Sequence, residues 1–304
     1  MPALTLSPTP MNELFFEREL KNYCAYAFRA HEVTNYAIYD QDFLRKLNWQ
    51  PTDALTIQNP VSENWQMMVT SLIPHLLKNI EQNKTESSLR FFECNRVWHK
   101  KGETFTEKKI VAGIAYSQKN SINFYELKDE LDQLFALYQC TITWTKAEKN
   151  SYPWMHRFQT ALLKHNDQTI GYTGMIDPAF LANVAQGDAF IFELDVEKLL
   201  MLSGQHVEKF APLAKYPFTW FDVSMMVPLE VTVDTLKKII MHADGRIFKV
   251  DLIDFFKKEE WKAERSVTMR FYARDSEKTL SHEEIDHMYG HVVLGLKQAG
   301  AQIR

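Results

Sequence analysis

Apolar and polar residues alternate at two spacings along the first 200 residues, which predicts a mixture of helices and strands. Helical spacing predicts helices over 13–29, 70–83 and 123–138. Runs rich in β-branched and aromatic residues predict strands over 31–39, 88–99 and 108–117, a hairpin over 159–177 turning at Asn166-Asp167, and a strand leading into a helix over 189–202. Frequent hairpins favour an antiparallel α+β sheet over a doubly wound parallel one.

The remaining chain predicts a second, smaller domain. Segment 203–217 contains a glycine, two prolines and little periodicity, so we interpret it as a linker between domains 1–208 and 209–304. The pattern beyond it predicts strands over 221–229, 247–256, 264–272 and 302–304, with helices over 231–242 and 281–298. This βαββαβ order within about 90 residues is that of a ferredoxin-like fold. Ser281 and Glu284 have the spacing of a helix capping box.

A ferredoxin-like sheet is covered by both helices on one side and leaves its other face open. Side chains alternate between the faces of a strand, so Asp254 is expected to share a face with Leu252 and Phe256, while Ile253 and Phe255 pack against the helices. The alternation predicts an open face made of Asp254, Phe256, Ser266, Thr268, Arg270 and Tyr272.

These side chains allow two interpretations. Aromatic rings stack on unpaired bases, and carboxylates and hydroxyls hydrogen-bond to base edges, so the face suits single-stranded nucleic acid. An antiparallel sheet also commonly has one solvated face, and Asp254 would then be a surface carboxylate, with Arg270 as its candidate partner.

Composition excludes several classes of protein. The net charge is −4, so any nucleic-acid partner must bind a local site and not a generally basic surface. No stretch approaches the ~20 apolar residues of a membrane span, and the N-terminus lacks the pattern of a signal peptide. The three scattered cysteines, Cys24, Cys94 and Cys140, form no metal or disulfide pattern, which indicates buried thiols in a reducing, cytoplasmic setting.

Catalytic motifs for nucleotide binding, nucleophilic catalysis or zinc chemistry are absent from the sequence, so we expect no catalytic residues in this chain. His287 and His291 are four residues apart on a helix, but an isolated pair of this kind is usually solvated, and no metal site is expected. Asp129, Glu130 and Asp132 form an acidic helix face that is also expected to be solvated.

Five ordered motifs in the last 90 residues resemble the ferredoxin-fold anticodon-binding domain of phenylalanyl-tRNA synthetase. They are KYPFTWFDV (Lys215–Val223), IDFF (Ile253–Phe256), RSV (Arg265–Val267), TLSHEE (Thr279–Glu284) and GAQIR (Gly300–Arg304). The upstream region resembles the class II synthetase-like core of the bacterial beta subunit, through RAHEVTNYAI (29–38), NPVSENWQMMVTSLIPHLL (59–77), RFFECNRVW (90–98), FYELKDELDQL (124–134) and IGYTGMIDP (170–178).

The resemblance implies a part of phenylalanine–tRNA ligase. The family's beta subunits are far longer, so the chain is expected to be a fragment of one. Its core would be a catalytically degenerate scaffold for the catalytic alpha subunit, packing chiefly through the helix over 13–29, in an alpha2beta2 assembly. ATP and Mg²⁺ would serve the whole enzyme and not bind this fragment. Neither a membrane nor DNA is an expected partner.

The resemblance also implies that the small domain binds phenylalanine tRNA. Phe256 would stack on an anticodon base, Asp254 would accept a hydrogen bond from a base edge, and Ser266 would assist. Two further open-face residues, Arg270 and Tyr272, complete the predicted tRNA-binding set.

Several positions depart from the family pattern. Val69 stands where the family has an arginine before T-S-L, and HRFQTA (156–161) replaces H-P-G-R-S-A. Trp220 and Phe221 replace two arginines, and Phe256 keeps the ring of a tyrosine but lacks its hydroxyl. If the family arginines contact tRNA phosphate, that contact is weakened here.

Two alternatives stay open. One is a single-chain phenylalanyl-tRNA synthetase with an active core, although no Gly-rich third motif ending in arginine follows the second-motif strand. The other is a ferredoxin-like ligand-sensing module fused to a dimerisation domain, which predicts small-molecule binding and no response to tRNA.

Overall fold

The computed structural model describes residues 12–119, 122–147, 152–203, 214–258, 260–261 and 263–304. The chain forms two compact units, which we call the large unit (described from 12 to 203) and the small unit (described from 214). The predicted boundary at 208/209 and most of the predicted linker lie outside the described residues.

The large unit is built on a seven-stranded sheet with the order β1-β2-β3-β7-β6-β5-β4. All neighbouring strands are antiparallel except β1 and β2, so the expected antiparallel α+β sheet is confirmed. Its strands are β1 (His31–Glu32), β2 (Ser88–Lys101), β3 (Thr104–Ser117), β4 (Thr143–Lys146), β5 (Met155–His165), β6 (Gln168–Ile176) and β7 (Asp188–Asp195).

Helices cover both faces of this sheet. They are α1 (Asn12–Asn22), continued by a π-helical turn (Tyr23–Ala27), α2 (Gln41–Lys46), α3 (Ile73–Gln82), α4 (Phe124–Leu137), α5 (Pro178–Leu181) and α6 (Val196–Ser203). One core lies beneath α2, α3 and α5, and a second lies beneath α1, α4 and α6. Strand β3 shows why two cores form, because Ile114 enters the first and its neighbour Ala115 the second.

Local signals explain the elements that the sequence predicted well. The Asn123 side chain accepts a hydrogen bond from the Tyr125 N–H at 3.0 Å and caps α4. Asn166 and Asp167 have φ values of 44° and 68°, which a two-residue hairpin turn between β5 and β6 requires. Three short elements, α2, α5 and β4, were not predicted.

The predicted strand over 31–39 is wrong beyond Glu32. The N–H of Asn35 donates to the carboxylate of Glu93 at 3.0 Å and not to a strand partner. Further along, the buried Tyr39 hydroxyl accepts the N–H groups of Thr70 and Ser71 at 3.0 and 2.9 Å. Helix α3 begins at Ile73, three residues later than predicted.

A buried carboxylate occupies the middle of the first core. Glu193 on β7 accepts hydrogen bonds from the Ser71 hydroxyl at 2.6 Å and the Leu72 N–H at 3.0 Å. Burial raises the pKa of Glu193 to about 7, because the charged form is poorly solvated there. At pH values between the ordinary pKa of a glutamate and about 7, Glu193 is therefore protonated in the folded chain and ionised in the unfolded chain.

This proton makes the free energy of unfolding fall as pH rises from about 4.5 through 7. We expect Glu193→Gln to remove this downward slope and to stabilise the chain at pH 8 by on the order of 1–3 kcal/mol. The amide oxygen can accept the hydrogen bonds from both Ser71 and Leu72 without a buried charge. Urea unfolding of both proteins from pH 5 to 8 measures the difference. Parallel pH profiles would show that Glu193 is ionised throughout.

The small unit has the ferredoxin-like architecture that the sequence predicted. Its strands are β8 (Thr219–Pro228), β9 (Ile247–Phe256), β10 (Glu264–Ala273) and β11 (Gln302–Ile303), in the antiparallel order β11-β8-β10-β9. Helices α7 (Val233–Ala243) and α8 (His282–Gln298) bury Leu236, Ile240, Met288, Val292 and Leu296 against one face. Both hydrogen bonds of the predicted capping box are present at Ser281 and Glu284.

Candidate nucleic-acid interface

The open face of the small sheet follows from the pairing of its strands, because residues directly opposite each other share a face. Ser266 lies opposite Phe256, and Thr268 lies opposite Asp254. Val267 and Met269 alternate with these residues and are fully buried under the helices. The structure therefore brings Asp254, Phe256, Ser266, Arg270 and Tyr272 onto one face, as the alternation of β10 predicted.

A β-bulge on β9 corrects the prediction for its neighbours. Thr268 pairs with Asp254 but Met269 pairs with Leu252, which leaves Ile253 as the extra residue. Leu252 is consequently on the helix side, and the expectation that it shares a face with Asp254 is wrong. Ile253 is 47% exposed, so the expectation that it packs under the helices is also wrong.

Asp254 presents an acceptor at the surface. One carboxylate oxygen accepts the N–H of Phe255 at 2.8 Å, and the residue is exposed. Within the described part of the chain, no cationic side chain forms an ion pair with it. The second oxygen is therefore available to an outside donor such as an amino group on a base edge.

Arg270 has a different partner from the candidate that the sequence suggested. Its guanidinium donates to both carboxylate oxygens of Asp222, at 2.7 and 2.8 Å. This pairing lowers the pKa of Asp222 and raises that of Arg270. Asp222 lies directly opposite Arg270 in the sheet, whereas Asp254 lies opposite Thr268, so strand pairing decided the ion pair.

Phe256 is half exposed and forms an aromatic corner with Trp261. The two ring centroids are 5.8 Å apart and nearly perpendicular. Lys258 and Arg304 place their cationic groups 5.4 and 5.6 Å from the Trp261 ring centroid. This corner combines a ring face for stacking with nearby positive charge, which is the combination that single-stranded nucleic acid requires.

Sequence reasoning missed a second group of exposed aromatic rings at the other end of the same face. Trp220 is 50% exposed and lies opposite Tyr272, while Phe221 turns inward and packs on Phe271. Phe218 and Phe248 lie beside Tyr272. Trp220 is two residues before Asp222 on β8 and therefore shares its face, so the alternation of β8 could have identified Trp220 from the sequence.

The large unit offers a different kind of surface at its first helix. Phe16 and Leu20 are buried, but Leu14, Phe15 and Tyr26 are exposed by 54, 56 and 82%. Leu137 at the end of α4 is also 59% exposed. Adjacent exposed apolar side chains of this size are typical of a protein contact surface.

Two carboxylates of the large unit, Glu93 and Glu130, have partners within the protein. Glu93 accepts hydrogen bonds from Asn35 and Asn95. Glu130 pairs with Arg29 at 3.1 Å and Arg90 at 2.7 Å, so the expectation that its helix face is solvated is wrong at this residue.

Among the described residues, no group of three His, Cys, Asp or Glu side chains could hold a metal ion. No helix in the described part of the chain is both long and apolar enough to cross a membrane.

Family models match nearly all of the chain. Residues 1–196 match the model described as the phenylalanyl tRNA synthetase beta chain CLM domain, and residues 214–304 match the ferredoxin-fold anticodon binding domain.

Individual relatives agree with the family models. The chain is 29% identical over 293 residues to the phenylalanine–tRNA ligase beta subunit of Halalkalibacterium halodurans, covering 90% of this chain and 36% of that protein. It is 27% identical to the same subunit of Carboxydothermus hydrogenoformans, covering 96% and 39%. The chain thus spans little more than a third of the length of these relatives.

A solved structure shows a related fold. Pyrrolysyl-tRNA synthetase from Desulfitobacterium hafniense superimposes with a TM-score of 0.51 at 14% identity, over 62% of this chain and 68% of that chain. At this identity the likeness shows the fold alone.

Proposed function

Because the chain belongs to the family of phenylalanyl-tRNA synthetase beta chains, we propose that it acts as part of phenylalanine–tRNA ligase and that its small unit binds the anticodon region of phenylalanine tRNA. The observation that carries this proposal is the open face with the exposed Asp254 and Phe256 beside Ser266. A ring face, a carboxylate acceptor and a hydroxyl within one small area match the stacking and edge-bonding groups of an unpaired base. Arg270 and Tyr272 lie further along the same face.

Binding of tRNA transcripts to the assembled enzyme tests this proposal. We expect phenylalanine tRNA to bind more tightly than the same transcript with a replaced anticodon. Filter binding at one fixed salt concentration measures the ratio, because affinity for nucleic acid depends strongly on salt. Equal affinity for both transcripts would show that the small unit does not recognise the anticodon.

The large unit is proposed to be a scaffold for the catalytic alpha subunit, in an alpha2beta2 assembly. The exposed Leu14 and Phe15 on α1 support a contact there, since apolar side chains in such positions are stabilised by burial against a partner. ATP and Mg²⁺ are proposed to bind the alpha subunit; in this chain, the buried Glu193 and Glu93 accept hydrogen bonds from neighbouring side chains. The free thiols of Cys24, Cys94 and Cys140 fit a cytoplasmic location.

Replacing both exposed residues by carboxylates is expected to break this contact. Leu14→Asp with Phe15→Asp should weaken assembly with the alpha subunit by on the order of 100-fold or more, because buried apolar anchors carry most of an interface's binding energy. Light scattering of mixed subunits measures the complex.

Leu294→Asp is the matched control, because Leu294 is equally exposed but lies on α8 of the small unit. A double variant that still forms the complex would place the alpha-subunit contact elsewhere on the large unit.

A further inference from the structure

The guanidinium of Arg270 lies over the ring of Trp220 on the open face of the small sheet. The central guanidinium carbon of Arg270 lies 3.9 Å from the ring centroid of Trp220. One face of the indole is thus covered by a planar cation, while half of the side chain is exposed to solvent. Such a stack can extend by one more planar group, as aromatic and guanidinium planes do with bases.

Asp222 holds this stack in place. It accepts two hydrogen bonds from Arg270, so the guanidinium plane is fixed before anything binds. A fixed platform loses little conformational entropy on binding. The same ion pair also neutralises the charge of Arg270, which makes the platform suited to a planar group and poorly suited to a phosphate.

Further rings extend the platform. The ring centroid of Tyr272 lies 5.9 Å from that of Phe218 and 6.3 Å from that of Phe248. Cations adjoin these rings, with Lys249 Nζ 4.9 Å from the Tyr272 centroid and the Arg274 guanidinium 4.6 Å from the Phe248 centroid. Lys249 is itself paired with Asp251 at 2.7 Å. The patch is therefore chiefly aromatic, with most of its positive charge neutralised.

The platform is too far from Phe256 to be part of the same base site. Phe256 lies opposite Ser266 and Trp220 lies opposite Tyr272, which is six residues further along β10. At about 3.3 Å per residue this is a separation of roughly 20 Å along the strands. A ligand that contacts both positions must be a chain of several nucleotides.

We propose that the Trp220–Arg270 platform is a second stacking site for an unpaired RNA base, which holds a nucleotide several positions away from the one at Phe256. This inference rests on the proposed function, since the same open face must bind RNA. The platform increases the affinity for RNA through stacking and not through phosphate contacts.

Equilibrium binding of the assembled enzyme to phenylalanine tRNA tests the platform. Trp220→Ala should weaken binding on the order of tenfold, because stacking on an aromatic side chain contributes that much per base. Trp220→Phe should keep most of the affinity, since it keeps a ring. Arg270→Lys keeps the charge but loses the planar, two-point contact with Asp222, and should weaken binding as Trp220→Ala does.

Salt dependence separates stacking from charge. The slope of the logarithm of the binding constant against the logarithm of the salt concentration should be the same for Trp220→Ala as for the unchanged enzyme. A slope smaller by about 0.7 or more would mean lost phosphate contacts and would overturn the stacking proposal. Single nucleotides of the anticodon loop can be replaced by the fluorescent base 2-aminopurine, whose fluorescence is quenched when it stacks. Trp220→Ala should abolish the quenching at one nucleotide, and Phe256→Ala should abolish it at a different nucleotide.

Leu294→Ala, on the opposite side of the sheet, is the control for indirect effects. Unchanged binding by Trp220→Ala together with weakened binding by Asp254→Ala would overturn the second site and leave the proposed function standing. Unchanged binding by both variants would overturn the proposed function as well.

Discussion

Asp254→Ala is expected to lower kcat/KM for charging of phenylalanine tRNA by roughly 10- to 100-fold while leaving phenylalanine-dependent ATP–pyrophosphate exchange unchanged. A hydrogen bond to a charged group contributes about 1.5–3 kcal/mol, and each 1.36 kcal/mol changes a rate constant tenfold. The carboxylate is exposed, so its removal should not disturb the fold. Exchange does not involve tRNA, and therefore serves as the internal reference.

Variants of neighbouring residues sharpen this test. Phe256→Ala should lower charging on the order of tenfold through lost stacking, and Phe256→Tyr should retain it, because the ring is kept. Asp234→Ala is the matched control, since Asp234 is an exposed aspartate on α7, at the opposite face of the sheet. An equal fall of exchange and charging in Asp254→Ala would show that this residue acts on the catalytic centre or on assembly and not on tRNA.

Trp154→Ala is expected to lower the free energy of unfolding of the large unit by about 3–5 kcal/mol, the range for removing a buried large aromatic side chain. Trp154 is fully buried and stacks on Tyr152, with ring centroids 4.5 Å apart and planes 7° from parallel. Its indole N–H donates to the Tyr172 hydroxyl at 3.3 Å. Truncation would leave a cavity and a buried hydroxyl without this donor.

Urea unfolding of the full chain, followed by tryptophan fluorescence, measures this loss. Phe158→Ala provides the control, because Phe158 lies in β5 near Trp154 in sequence but is 72% exposed, and should change stability by about 0.5 kcal/mol or less. A loss below about 1 kcal/mol for Trp154→Ala would mean that the aromatic cluster closes around the gap. The two units can unfold separately, so the large unit's transition must be fitted by itself.

The sequence by itself determined the elements whose signals are local. The capping box of Ser281 and Glu284 sets the start of α8, and Asn166-Asp167 sets the turn between β5 and β6. These signals act between residues a few positions apart, so no distant partner is needed to recognise them. The strict alternation of Ser266 to Tyr272 likewise placed β10 and its polar face correctly, because every second residue of it is fully buried.

Only the tertiary structure decided which residues meet across the sheet. The bulge at Ile253 places Leu252 on the helix side. The pairing of β8 with β10 places Asp222 opposite Arg270, and the two form an ion pair. The N–H of Asn35 was taken by Glu93, 58 residues away, which ended the predicted strand early. In each case the sequence offers several chemically similar partners for the same group. Only the contacts between residues far apart in the chain decide which partner is used. The Trp220 platform depends on the same selection, since Asp222 fixes the guanidinium that covers the ring.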